Sequence, residues 1–277
     1  MGTAQAVLLG VLQGLTEFLP VSSSAHLVAA QHMLKVSSPP IMLDVALHFG
    51  TLLAILFVLR RSLWRLASDG LRGAYLTVRG ADRAVVRERA PLLPTALAVL
   101  VGTVPAGLAG VLLQRRLEGL FSNMVAAGAF LVCTGVLLLA SRWAQPGKVE
   151  VVGVGRGFLI GLAQAVALLP GISRSGITIV AGCYAGVRRD AAGRFSFLLA
   201  VPAIAGACVL QFLHYRHGAA GAPIAGWPLF WGVLAAGVVG AVCLRLLLRV
   251  VDGGRLHWFA AYCVPAGLAM IVIGLLS

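Results

Sequence analysis

Leu169-Pro170-Gly171-Ile172-Ser173-Arg174-Ser175-Gly176-Ile177-Thr178 forms a polar knot inside an apolar run that extends from Phe158 to Val187 and carries no charge except Arg174. Pro170 and Gly171 break a helix, Ser173 and Ser175 can cap a new one, and Gly176 lets backbone amides approach a ligand closely. Amides at a helix start, the hydroxyls of Ser173, Ser175 and Thr178, and one fixed guanidinium make a seat for an anion. A weaker echo lies upstream in Gln13-Gly14-Leu15-Thr16-Glu17-Phe18-Leu19-Pro20-Val21-Ser22-Ser23-Ser24-Ala25-His26, where polar groups again interrupt a hydrophobic run.

The surroundings of both knots are those of a membrane protein. Of the 277 residues 60% are hydrophobic and 11% charged, against roughly 45–50% and about 25% in soluble domains. No basic flank precedes the first apolar run, so a cleaved signal peptide is not expected. The net charge of +13 comes from cations gathered between apolar runs without interleaved aromatics. That pattern marks topology and excludes a nucleic-acid binder. Cys133, Cys183, Cys208, Cys243 and Cys263 fall in apolar runs without paired spacing, which excludes thiolate metal sites and a disulfide scaffold.

Two short apolar pieces, 4–18 and 25–34, flank the first knot, and neither reaches the ~20 residues of a span. Together they predict a re-entrant hairpin, tolerable at membrane depth where protein or a wet cavity surrounds the irregular backbone. Spans follow at 44–59, 93–113 and 124–141. After a polar link at 144–156 the plan recurs: a broken pair over 157–187, then spans at 195–213, 228–248 and 258–276. The fold class is therefore an all-α integral membrane protein with an inverted-topology repeat (1–143 and 157–277), each half a re-entrant helical hairpin plus three transmembrane helices. A shift of 151 residues places Gly10 on Gly161, Gln13 on Gln164, Ser22 on Ser173 and Ser24 on Ser175. An odd number of crossings per half gives the halves opposite orientations.

The arginine-rich connections (Arg60, Arg61, Arg65, Arg72, Arg79, Arg83, Arg87, Arg89) share one side with Arg142, Lys148, Arg156, Arg188, Arg189, Arg194, Arg249 and Arg255, and that side is cytoplasmic by the positive-inside rule. Lys35, Arg115, Arg116 and Arg216 fall opposite. Both termini and the mouth of the first hairpin then face outward, the second hairpin enters from the cytoplasm, and the tips meet within the bilayer. Gly10 with Gly14, and Gly182 with Gly186, offer each hairpin a face for close helix contact.

Glu17 is the only acid before Asp44. An ionisable group at such depth costs at least ~2.5 kcal/mol on insertion scales, so function is its default reading. Gln13, four residues earlier, shares its helix face. Ser22, Ser23 and Ser24 open the second short helix as caps or as site hydroxyls. Ser23 precedes His26 by three residues, and a hydroxyl within reach of an imidazole would make a nucleophile and base. The spacing Gly171, Gly176, Ile177, Thr178 imitates a nucleotide P-loop, but Ile177 stands where lysine belongs and no strand precedes it, which excludes an ATPase. His32, Asp44 and His48 form a second tier, with Asp44 read as a helix cap. His214, His217 and His257, with Trp143, Trp227, Trp231 and Trp258, fit the ends of spans.

The combination of Gln13-x3-Glu17-Phe18-Leu19-Pro20-Val21-Ser22-Ser23 with Pro170-Gly171-Ile172-Ser173-Arg174-Ser175-Gly176-Ile177-Thr178 resembles the undecaprenyl-diphosphate phosphatase family of the bacitracin-resistance type, over nearly the whole chain. The resemblance implies a multi-pass enzyme of the bacterial inner membrane. It removes the terminal phosphate of undecaprenyl diphosphate, so recycling the carrier lipid of peptidoglycan synthesis, and uses a divalent cation, usually Mg2+. Position by position it makes Glu17 the essential carboxylate, His26 the catalytic histidine, Ser23 a nucleophile and Arg174 the phosphate clamp, with Ser22, Gly171, Ser173, Ser175, Gly176 and Thr178 around the phosphate. Gln13 holds the amide form of an acid-or-amide position, leaving Glu17 and Gln13 as the metal candidates. Attack by Ser23 and attack by activated water both remain open at this level. The partners expected are a polyprenyl diphosphate and the bilayer, with a homodimer compatible. A transporter or flippase of a phosphorylated polyprenyl lipid is the rival reading, since inverted repeats and broken helices are also transporter features.

Overall fold

The computed structural model describes residues 2–33, 41–121, 123–216 and 226–276, and helix is the only extended secondary structure among them. Lys35 and His217 lie outside the described residues, as do the side chains of His32, Asp44, Arg115, Arg116, His214 and Arg216. In chain order the helices are α1 (Thr3–Phe18), α2 (Ser23–Met33), α3 (Ile41–Val58), α4 (Arg60–Val78), α5 (Arg83–Arg89), α6 (Leu93–Phe121), α7 (Met124–Ala140), α8 (Val154–Val166), α9 (Arg174–Tyr184), α10 (Arg189–Arg216), α11 (Gly226–Asp252) and α12 (Ala260–Leu276).

Five of these, α6, α7, α10, α11 and α12, are long and apolar enough to cross a membrane, and the bent pair α3–α4 makes a sixth if counted as one span. Leu100, Leu112, Val238 and Val272 stand exposed on them, which is the signature of surfaces that face hydrocarbon instead of water. The arginine-rich connection is itself helical. α4 leaves α3 at a bend of 77° and exposes Arg60, Arg61, Arg65 and Arg72 together with Trp64, Leu71 and Tyr75, the composition of a helix lying in the membrane interface. Asp69 fastens it by accepting a hydrogen bond from the Leu92 amide at 3.1 Å, just before α6 begins.

Local chemistry explains why both hairpins break. Pro20 forces Leu19 into an extended conformation (φ −61°, ψ 142°), so α1 stops at Phe18. Ahead of Pro170, α8 tightens into i→i+3 bonds from the amides of Ala167, Leu168 and Leu169 (3.1–3.2 Å), which use up carbonyls that an ordinary helix end would leave unpaired. α9 then starts cleanly because Ser173 Oγ accepts from the Gly176 amide at 3.1 Å.

The hairpins pack across the sequence. α1 packs most extensively on α11, and α8 on α6. Small residues permit this: a Cβ on Gly14 would lie 2.8 Å from the Ala236 carbonyl oxygen, and one on Gly102 would lie 2.6 Å from that of Gly157. α7 and α12 close on each other in the same way through Gly128 and Gly267. The expected stripe of Gly182 and Gly186 is corrected by the structure. Gly182 meets Ala192 of α10, whereas Gly186 has φ +77° and open space around it, so it turns the chain out of α9. The hairpin glycines that make the close approach in the second half are Gly157 and Gly161. Phe18 and Phe197 touch with ring centroids 5.8 Å apart and fix the end of α1 against α10.

Candidate active site

Packing α1 on α11 and α9 on α10 brings the two knots together. Arg174 Nη2 donates to Glu17 Oε1 at 2.6 Å, and Glu17 is only 8% exposed. The other carboxylate oxygen, Oε2, accepts from Ser23 Oγ at 2.7 Å and from Gln13 Nε2 at 3.1 Å, with His48 Nε2 at 3.8 Å. A charge at this depth is tolerable because it is paired and its lone pairs are occupied. The hairpin tips also meet directly, as the Gly171 amide donates to Ser24 Oγ at 3.3 Å.

Each tip carries an unusual backbone. Ser22 has φ +64°, a left-handed conformation costly for a residue with a side chain, and its carbonyl is held by His26 Nδ1 at 2.8 Å. Gly171 has φ +107° and lies against α7, where a Cβ would collide with the Ala127 carbonyl oxygen. Thr134 of α7 brackets this second tip, donating Oγ1–H to the Gly171 carbonyl at 2.8 Å and accepting from the Ser173 amide at 3.0 Å.

Two sequence expectations meet a different geometry. Ser23 hydrogen bonds to Glu17, not to His26. The imidazole instead places Nδ1 on the Ser22 carbonyl and Nε2 on Tyr262 Oη at 2.6 Å, and its ring stacks on Tyr262 of α12. The hydroxyls of Ser173, Ser175 and Thr178 are buried and bonded to protein partners. Ser173 caps α9, Ser175 bonds to Ser173 at 3.2 Å, and Thr178 bonds to Ser196 at 2.6 Å and to the Arg174 carbonyl at 2.7 Å.

A cavity of about 510 Å³ opens onto the Glu17–Arg174 pair, and Ser22, Ser23, Ser24, His48, Gln164 and Ser173 are among the polar residues that line it. From there it runs between α6 and α10 past Ala106, Gly107, Pro202 and Ala203 to the exposed side chains of Val111 and Leu210. It has a polar floor and an apolar barrel. The sequence reading did not single out Gln164, Thr134, Ser196 or Tyr262 as site residues. A lone hydroxyl or amide in an apolar span carries no signal of its neighbours, although the 151-residue shift sets Gln164 on Gln13.

No group of three or more His, Cys, Asp or Glu among the described residues is placed to hold a metal ion. The donors that could are the Glu17 carboxylate and Gln13 Oε1, a buried oxygen with no hydrogen-bond partner. One carboxylate and one amide oxygen suit a hard divalent cation whose shell is completed by phosphate oxygens and water.

Fold and site together define a multi-pass helical membrane protein with an ion pair at the floor of an apolar intramembrane cavity. The family model described as bacitracin resistance protein BacA matches residues 6–269, and the chain belongs to that family. It is 44% identical to an undecaprenyl-diphosphatase of Desulfosudis oleivorans over 99% of this chain and 100% of that protein. Relatives of the same name from Desulforapulum autotrophicum (40% identical, 99% of each chain) and Korarchaeum cryptofilum (35%, covering 98% of this chain and 99% of the relative) are similar over the same length.

Proposed function

We propose that this protein hydrolyses undecaprenyl diphosphate to undecaprenyl phosphate and inorganic phosphate in the bacterial inner membrane, with both termini on the outer side and the two halves related as an inverted repeat. The observation that carries the site reading is the Glu17 carboxylate holding Arg174 and Ser23 at once, on the floor of a cavity whose walls suit a polyprenyl tail. The exchanged packing of α1 on α11 and α8 on α6 supports the repeat. The transport reading is not favoured, since the relatives named above are diphosphatases.

The polyprenyl tail lies between α6 and α10 while the diphosphate reaches the floor. Arg174 neutralises phosphate charge, its Nη1 being buried without a hydrogen-bond partner from the protein. Ser23 Oγ attacks the terminal phosphorus, Glu17 takes the hydroxyl proton across the 2.7 Å hydrogen bond, and undecaprenyl phosphate leaves as the P–O bond to the bridging oxygen breaks. The proton on Glu17 passes to the departing phosphate. In the second step water attacks the phosphoserine and gives its proton to the freed Glu17 carboxylate, and Glu17 returns that proton to Ser23 Oγ as the Oγ–P bond breaks and inorganic phosphate leaves. His26, tied to Ser22 and Tyr262, shapes the tip that carries Ser23. A divalent cation, Mg2+ by the hardness of these oxygens, would be held by Glu17 and Gln13 and supply further charge neutralisation on the diphosphate.

Phosphate release from a C55 diphosphate by purified protein in detergent tests this directly. Release that falls on adding chelator is expected, together with a phosphoserine trapped on the wild type and absent in Ser23→Ala. Wild-type protein that moves the lipid across liposomes but releases no phosphate would overturn the enzyme reading. Substantial turnover in Ser23→Ala would overturn the nucleophile and leave activated water.

A further inference from the structure

Gln164 lines the cavity that has the Glu17–Arg174 pair at its floor, with only 3% of its surface exposed, yet neither its Nε2 nor its Oε1 has a hydrogen-bond partner. Burying an amide without partners is costly, and native proteins satisfy nearly all such groups. The repeat explains how it comes to be orphaned. Gln13 spends its Nε2 on Glu17, four residues on, at 3.1 Å. In the second half the position four residues after Gln164 is Leu168, which has nothing to accept. Arg174 Nη1 is likewise buried and unpartnered in the same cavity. Two donors without acceptors, one neutral and one cationic, therefore face a single cavity.

We infer that Gln164 is a substrate-positioning residue whose Nε2–H donates to a phosphate oxygen of the bound diphosphate, completing the grip begun by Arg174. The inference rests on the phosphatase reading for the identity of the ligand and on the orphaned amide for the site. A neutral donor suits this place. It adds a hydrogen bond to the diphosphate without a second cation that would compete with Arg174 for Glu17, and the phosphate oxygen supplies the acceptor that the protein itself does not.

The test pairs kinetics with thermal stability, using Gln164→Leu, which keeps the volume, and Gln164→Glu, which opposes the phosphate with a charge. A hydrogen bond to a charged partner is worth about tenfold to a hundredfold in affinity. Gln164→Leu should raise KM for the C55 diphosphate at least about tenfold with a smaller fall in kcat, and Gln164→Glu should lose more in kcat/KM. Without ligand, the thermal midpoint of Gln164→Leu should equal or exceed that of the wild type, because an unsatisfied buried amide has been removed. The rise in midpoint produced by a methylene-bridged, non-hydrolysable polyprenyl diphosphate analogue should shrink in both variants. Wild-type KM and a wild-type ligand-induced rise in Gln164→Leu would overturn the inference, as would a midpoint lowered by several degrees with KM intact, which marks a purely structural amide. If the wild type releases no phosphate but is still stabilised by the analogue, the phosphatase reading fails while the variants' loss of that stabilisation continues to support the Gln164 seat. A wild type that neither turns over nor is stabilised overturns both.

Discussion

Glu17 is asked to do two things by the groups around it: to hold Arg174 and to accept a proton from Ser23. Each partner keeps the other in place, which makes the pair sensitive to one-sided loss. Glu17→Ala and Arg174→Ala should each lower turnover at least ~100-fold, the scale of removing a key transition-state charge contact, and each should cost ~3–5 kcal/mol of stability by stranding a buried charge. The double variant Glu17→Leu/Arg174→Leu should recover most of that stability, measured as the thermal midpoint in detergent, and none of the activity. Near-normal rates in both single variants would sink the site assignment, and a double variant less stable than either single one would show that the pair is a net structural asset.

At the scale of elements, the second hairpin tip is held by geometry that only glycine satisfies. Gly171 combines φ +107° with a backbone packed against Ala127, and Thr134 bonds to both sides of it. Gly171→Ala should therefore lower stability by more than ~2 kcal/mol through strain and collision together and should swing Arg174 off Glu17. Turnover would fall with it, and thermal denaturation alongside phosphate release checks both. A fully active, fully stable Gly171→Ala would mean that the tip rearranges without cost. α4 is the element that sequence periodicity hid, because its four arginines, Asp69 and two glycines interrupt the apolar residues and make the segment read as a connection. The bend at Leu59 that lays it across the end of the bundle is a tertiary event.

For the whole molecule, the charge bias of the connections predicts which ends face which side. With native cysteines replaced, a cysteine at Thr3 should react with a membrane-impermeant maleimide in intact spheroplasts, and one at Ser68 on α4 only after permeabilisation. The reverse pattern would invert the proposed topology and place the cavity mouth between α6 and α10 on the cytoplasmic side.

The sequence by itself determined the class of the protein and the helix breaks ahead of Pro20 and Pro170, and it marked Glu17 and Arg174 as charges inside apolar segments. These are local or additive properties: hydropathy sums along a segment, proline forbids its own helix hydrogen bond, and a charge in hydrocarbon is costly wherever the chain goes. Only the tertiary structure decided that Ser23 turns to Glu17 while His26 turns to Tyr262, that Ser175 bonds to Ser173 and Thr178 to Ser196 of α10, and that Gln164 lines the cavity with no partner. Those outcomes depend on groups from different helices competing for the same hydrogen bonds, with Tyr262 reaching His26 across 236 residues and Ser196 reaching Thr178 across 18. Such competition is settled by which helix faces meet, and no stretch of sequence read alone contains that information.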